Sequence, residues 1–384
     1  MKNGLPRTGK VADEDMLKRV PHEILEEAYK TGIDLDDATR SGTLFHVDQA
    51  TIYAKVNEAY EGKIELMDTQ AALQRYPWLQ DYRLKIVDRG KDEFTQRVAE
   101  NFSGGYFMRI LPHAEVVFPL QSCLMITERG LEQRVHNIII AEEGSKAHII
   151  TSCLQHFTVD RASHLGISEI YVKKDAVLNF TMIHHWNEDT VVRPRSAALI
   201  DERGEFVSNY ICLSPVKDLQ MYPVAFCNGD GAKASFNSIL YGHQGSCLDV
   251  GSRAVLNGRG SKAEMITRAI ARQDARMIVR GMIEGNTSEC KGHLECRGLI
   301  LDDEAVLQSI PELVARKRGA EITHEAAVGK LSEKEIVYLM TRRLTRDQAV
   351  STIIRGFMDV GLMGLPEALT DEVNHIVDLV AEAS

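Results

Sequence analysis

A short turn motif returns along this chain at intervals too regular for an ordinary globular sheet. A charged or polar residue precedes Gly or Asp, a small or polar residue follows, and an apolar run comes next. The motif stands at Glu143-Gly144-Ser145, Lys174-Asp175-Ala176, Arg203-Gly204-Glu205, Asp230-Gly231-Ala232, Arg259-Gly260-Ser261, Gln273-Asp274-Ala275, Asp302-Asp303-Glu304 and Arg318-Gly319-Ala320. Successive Gly or Asp positions lie 31, 29, 27, 29, 14, 29 and 16 residues apart, which is one or two multiples of a unit of about 15. Between the turns stand short runs such as Ile138-Ile139-Ile140, His148-Ile149-Ile150, Ala176-Val177-Leu178 and Met277-Ile278-Val279. One strand and one turn per fixed unit predicts a stacked solenoid, whereas a β-sandwich gives irregular and shorter spacings. A single coil cannot bury its apolar side chains alone. Stacking buries them in one column and pairs the backbone groups of neighbouring coils. The expected fold is mainly β, with a parallel β-helix core over residues 104–328.

The flanks have a different texture. Residues 1–103 form a helical or mixed region, with helical patterns over Pro21–Lys30, Thr69–Leu79 and Asp92–Phe102. Residues 329–384 read as a helical domain. Ser332 with Glu335, and Thr345 with Gln348, have the spacing of capping boxes. Val350, Ile353, Ile354 and Phe357 make an apolar stripe, and Thr370 heads a third pattern with Val373, Ile376, Val377 and Val380. Such helices can cap the solenoid or dock a partner.

Composition narrows the function. Of 384 residues 44% are hydrophobic, enough for a large core, and the net charge is −10. That acid excess argues against a nucleic-acid binder, which needs a basic face. No apolar run is long enough to span a membrane, and Met1–Asp13 lacks the apolar core of a secretory signal. A cytoplasmic chain is expected, with its seven cysteines as free thiols or ligands instead of disulfides.

No phosphate loop, nucleophile elbow or zinc-protease helix motif is present; His324-Glu325 is followed by Ala326-Ala327-Val328 without a second histidine. Cys290 and Cys296 stand close but fit no common zinc spacing. Thiolate is a soft ligand for iron and sulfide, and Arg297 and Lys291 would favour it at Cys296, against the plain alternative of two core cysteines. A strand would point His324 and Glu325 to opposite faces, so both serve one site only at an edge or interface. Cys123, Cys153, Cys212, Cys227 and Cys247 read as core strand residues, and His184-His185-Trp186 as a strand with one exposed face.

Several segments resemble the SufB/SufD family of iron–sulfur cluster assembly proteins, and its shorter archaeal-type members in particular. Gly104-Gly105-Tyr106-Phe107 with Pro112, and then Phe118-Pro119-Leu120-Gln121, is similar to the family's entry into its core. The run from Arg134 to Ser145 resembles the first core coil, and His184-His185-Trp186-Asn187 a later strand. Most specific are Thr323-His324-Glu325-Ala326-Ala327-Val328-Gly329-Lys330-Leu331-Ser332 and Tyr338-Leu339-Met340-Thr341-Arg342. Arg355-Gly356-Phe357 and Leu365-Pro366 match the helices that follow. Ser41-Gly42-Thr43 and Tyr76-Pro77-Trp78-Leu79 resemble the archaeal-type members.

The resemblance implies a right-handed parallel β-helix and a helical domain that docks a SufC-like ABC ATPase through Tyr338, Arg342, Arg355 and Phe357. It implies a transient 2Fe–2S or 4Fe–4S cluster built between two core domains and passed to apoprotein acceptors, with reduced flavin left open. The implied site is Cys296 with Glu325, 29 residues on, and His324; Cys290 and Thr323 are accessory candidates. Thr323 departs from the acidic residue common there in SufB. Because Cys296, His324 and Glu325 occur together, a homodimer could supply every ligand, although a SufD-like heterodimer remains the other arrangement. The chain is expected to be a scaffold and not an enzyme, with ATP hydrolysis left to the partner. One rival is a SufD-like structural subunit. Another is a polysaccharide-active β-helix enzyme, which would need carboxylates recurring at matching coil positions.

Overall fold

The computed structural model describes residues 22–34 and 39–358. The strands in chain order are β1 (Gly42–Val47), β2 (Ala50–Val56), β3 (Ile64–Asp68), β4 (Tyr106–Ile110), β5 (Leu120–Ile126), β6 (Glu132–Ala141) and β7 (Lys146–Gln155). They continue as β8 (Ser163–Val172), β9 (Val177–His185), β10 (Val191–Ile200), β11 (Glu205–Cys212), β12 (Asp218–Met221), β13 (Val224–Cys227) and β14 (Lys233–Gly242). The last are β15 (Cys247–Leu256), β16 (Lys262–Ala271), β17 (Arg276–Gly285), β18 (Lys291–Ile300), β19 (Val306–Ala315) and β20 (Glu321–Lys330). Helices are α1 (His22–Lys30), α2 (Thr69–Arg75), α3 (Glu93–Glu100), α4 (Glu333–Thr341) and α5 (Arg346–Met358).

The strands wind into a parallel β-solenoid of about 8 turns. One wall runs β2-β1-β5-β7-β9-β11-β14-β16-β18-β20, and the facing wall runs β19-β17-β15-β12-β10-β8-β6-β4-β3. Register confirms the sequence period. Lys233 pairs with Lys262 and Lys262 with Lys291, a step of 29 residues per coil. Two of the short units thus make one coil. The turns need a left-handed residue, which Gly144, Gly231, Gly260 and Gly319 supply. At two motif turns the positive φ falls one residue early, on Arg203 and Gln273 instead of on Gly204 and Asp274. Arg203 is held there by a two-pronged ion pair with Asp175 of the coil before, at 2.7 Å for each bond.

The lumen is filled by one continuous apolar core that runs from Leu44 to Leu307. Pro223 has no N–H to give to the ladder, and at that point the wall breaks into β12 and β13, which both pair with β10 and β15.

The first region has helices at the three expected places, α1, α2 and α3, and between α1 and α2 three strands that the pattern did not show. β1 joins β5 in parallel, β2 and β3 add antiparallel edges, and the solenoid walls therefore begin near residue 42. The period was invisible there because a hairpin and an antiparallel edge do not repeat it. α2 and the 3-10 turn Pro77–Asp81 split the expected helix at Pro77, and α3 begins with the Asp92–Thr95 capping box. At the other end Thr345 and Gln348 cap each other (2.9 and 3.2 Å). Ser332 accepts from the Glu335 amide. α4 and α5 pack Ile336, Val350 and Ile354 on an outer stripe of Ile183, Ile211, Ile239, Ile270 and Leu299. The third helical pattern, from Thr370 to Val380, and Leu365-Pro366 lie outside the described residues.

Candidate functional site at the last coil

Parallel strands in register set the site. Leu294, Glu295, Cys296 and Arg297 of β18 lie beside His324, Glu325, Ala326 and Ala327 of β20. Side chains alternate between the lumen and the outer face. Cys296 belongs to the lumen core and is 2% exposed. Its immediate cover is Ala326, a single methyl group. His324, the register partner of the lumen residue Leu294, shares that inner face. Glu325 takes the outer face beside Glu295, 62% exposed at its side chain, with its Oε1 3.7 Å from Arg297 Nη2.

Cys296 and His324 are thus brought to one face, and Glu325 to the other face of the same edge strand. β20 ends its wall and β19 ends the facing one. Almost every β20 residue is exposed. Leu313 and Val328 are exposed apolar residues of this last coil, and among the described residues nothing covers it.

The electrostatics correct one expectation. Arg297 does not face the Cys296 thiol. It projects outward and pairs with Glu295 at 2.7 Å and with Glu325. Lys291 is engaged by Glu321 at 2.8 Å. Burial pushes the Cys296 thiol above its ordinary pKa, a hydrogen bond with Ser309 pulls it back, and the Glu295 charge raises it further. Ser309, on β19, was not apparent in sequence, because the facing strand shows no pattern that marks it. Glu295 was missed because β18 and β20 are offset by 30 residues, so the 29-residue step from Glu325 points to Cys296 instead.

Cys290 is buried with its thiol 3.1 Å from the Thr287 carbonyl. Thr323 bonds His293 at 2.9 Å on the outer face. Among the described residues no group of three or more His, Cys, Asp or Glu side chains is close enough to hold a metal ion. Within one copy of the last coil, Cys296, His324 and Glu325 therefore do not form a metal-binding group.

One further sequence reading changes and another holds. Cys247 is exposed, unlike the other cysteines. His184 and Trp186 are both buried, with His184 Nδ1 2.9 Å from the Tyr210 hydroxyl, while His185 faces outward.

On the helical module, Val337, Tyr338 and Met340 of α4 are exposed, and Arg342 stacks on Tyr338 at 5.3 Å. Arg355 is exposed, but Phe357 is half-buried against the wall. No helix among the described residues is long and apolar enough to cross a membrane.

Fold and site together define a β-solenoid protein with a buried thiol one coil from an end that no described residue covers. Comparison with known proteins makes that class specific. Residues 124–357 match the model of the SUF system FeS cluster assembly SufBD core domain. The chain is 46% identical over 354 residues to an iron-sulfur cluster assembly SufBD family protein of Archaeoglobus fulgidus, covering 92% of this chain and 94% of that one. It is 43% identical over 366 residues to a SufBD family protein of Methanothermobacter thermautotrophicus, covering 94% and 88%. A Staphylococcus aureus SufBD family protein is 27% identical over 372 residues, covering 95% and 79%. The chain belongs to the SufBD family of iron–sulfur cluster assembly proteins.

Proposed function

We propose that this chain is a SufB-like scaffold, on which a nascent iron–sulfur cluster is built where two core domains meet at the last coil. The observation that carries this is the incomplete donor set at an uncovered solenoid end. Cys296 faces inward on β18 and His324 inward on the neighbouring edge strand β20, Glu325 faces outward, and Leu313 and Val328 leave apolar surface to bury. A second core domain seated there would cover the edge and bring its own donors.

The chemistry follows from the residue types. Cys296 would give up its thiol proton to solvent when a ferrous ion binds, because the metal–sulfur bond replaces the S–H bond and the cation offsets the desolvation that holds the proton on. Glu325 offers hard oxygen to ferrous iron before sulfide arrives, and His324 orients or completes the set. A SufC-like ABC ATPase would dock on the exposed Tyr338 and Arg342 surface of α4 and drive the end open. The finished cluster, 2Fe–2S or 4Fe–4S, is cargo for apoprotein acceptors.

The burial of Cys296 and its separation from Glu325 across the wall favour a second reading, a SufD-like subunit that makes no cluster. Anaerobic incubation with ferrous iron and sulfide, followed by visible and Mössbauer spectroscopy, separates the two. The scaffold reading expects a brown chromophore that Cys296→Ala abolishes and Glu325→Ala diminishes. A colourless wild-type chain that still co-purifies with its ATPase is the SufD-like outcome.

A further inference from the structure

The outer face of the long wall carries a column that changes character at its end. Ile183, Ile211 and Ile239 are successive register partners, and the next two positions are Arg268 and Arg297. The isoleucines are buried under α4 and α5. Arg268 and Arg297 sit on neighbouring strands, which are about 4.8 Å apart, so two like charges are held side by side. Each is drawn to a different acceptor. Arg268 Nη1 donates to the Phe357 carbonyl of α5 at 2.8 Å. Arg297 engages Glu295 and Glu325. The α5 backbone and the Glu325 carboxylate are therefore each held by a guanidinium group, from adjacent register positions of one column.

We propose that Arg268 is a positioning residue that couples the seat of α5 to the charge facing Glu325. While Phe357 lies against the wall, Arg268 is held toward the helix and Arg297 alone faces the two carboxylates. When a partner lifts α5, Arg268 loses its acceptor and competes for Glu295, and the Arg297–Glu325 pair rearranges. This rests on the scaffold reading for its purpose, but not for its geometry.

Hydrogen exchange of the full-length chain tests the coupling without any partner. Ile354→Asp, which unseats α5 by placing a charge among its buried contacts, should raise exchange at least about tenfold in 346–357 and also raise it in 321–330. Adding Arg268→Met should keep the rise in 346–357 and abolish the rise in 321–330, because no second guanidinium is left to compete for Glu295. No rise in 321–330 in Ile354→Asp alone, or a rise there that survives Arg268→Met, would overturn the coupling. The second arm uses the complex with its ATPase. Arg268→Met should assemble cluster from ferrous iron and sulfide at the wild-type rate without ATP and lose the acceleration that ATP gives. ATP acceleration retained in Arg268→Met refutes the proposal. If the wild-type chain assembles no cluster at all, the scaffold reading fails while the exchange arm still decides the coupling.

Discussion

Replacing Glu169 with glutamine should destabilise the chain more than any single surface change, and the structure lets the cost be worked out. Glu169 is fully buried on the outer face of β8. Its Oε1 accepts from the amides of Lys85, Ile86 and Val87 at 2.7, 2.8 and 3.2 Å. Its Oε2 accepts from Leu84 at 2.5 Å and meets His136 Nε2 at 2.9 Å. The carboxylate thus pins the 84–87 segment, including Leu84 at φ 55, to the solenoid wall. A glutamine amide can keep the three Oε1 bonds in uncharged form, but it puts an NH2 against the Leu84 N–H. Weakening three charge-assisted bonds and orphaning one amide costs about 3–5 kcal/mol. At roughly 2–4 °C per kcal/mol for a large domain, the thermal midpoint should fall by about 6–20 °C. Burial works to raise the Glu169 pKa, but His136 and the backbone amides outweigh it and hold the carboxyl below its ordinary value. A depressed folded-state value means the stabilisation is complete above the ordinary carboxylate range and is lost on acidification through the lower value. The wild-type advantage over Glu169→Gln should therefore be constant near neutrality and shrink in acid. Urea unfolding followed by circular dichroism, at neutral pH and again in acid, measures both. A difference under about 1 kcal/mol at neutral pH, below the cost of one unsatisfied buried amide, or one that fails to shrink in acid, would refute the reasoning.

Other expectations follow from the same geometry. Leu313→Glu with Val328→Glu should leave the circular dichroism spectrum unchanged but prevent self-association or pairing with a second core domain in sedimentation velocity; an unchanged sedimentation coefficient in a wild-type dimer would exclude the last coil as the junction. Thr345→Ala removes the side-chain cap of α5 and should cost about 1 kcal/mol of local stability, read as faster hydrogen exchange confined to 346–357. Burial holds His46 and His164 neutral, with pKa values lowered to about 4 and about 3. Their contribution is complete above pH 6.5 and is lost as pH falls toward those values. The slope of unfolding free energy against pH below 6.5 should therefore drop by about one proton in His164→Asn; an unchanged slope would show that this imidazole is protonated in the folded chain.

The solenoid was legible because its period is written in turn chemistry. A left-handed residue is needed once per turn, and Gly144, Gly231 and Gly260 mark it openly. Where Arg203, Gln273 and Glu289 take that conformation, the signal blurs, since nothing in a single arginine or glutamine announces a positive φ. The N-terminal strands were hidden for a different reason: β2 and β3 are antiparallel edges and owe nothing to the repeat. At the site, sequence proximity suggested that Arg297 would stabilise the Cys296 thiolate. Alternation along β18 places the two on opposite faces, and the cation serves Glu295 and Glu325 instead. Ser309 could not be read at all, because its contact with the thiol comes from the facing wall and depends on how the two walls close on the lumen.

The position of Cys296 makes sense as a consequence of how a solenoid ends. In every interior coil an inward side chain is covered by the residue one coil further on, so a thiol such as Cys153 or Cys212 is sealed from both sides. Among the described residues the last coil has no successor, and its inward residues become surface. Cys296 stands one step before that limit. It is buried, with a raised pKa that keeps the thiol protonated and inert, yet on its own wall its one neighbour toward the open end is Ala326. A bulky residue at 326 would make the thiol a permanent core group, and removal of β20 would leave it exposed to oxidation. A small residue on an edge strand lets a modest shift of that strand control access. On this account Ala326→Leu should leave stability and ATPase binding close to wild type while suppressing both thiol labelling of Cys296 and cluster formation. Full cluster formation by Ala326→Leu would mean that iron reaches Cys296 along the lumen and not through the open end.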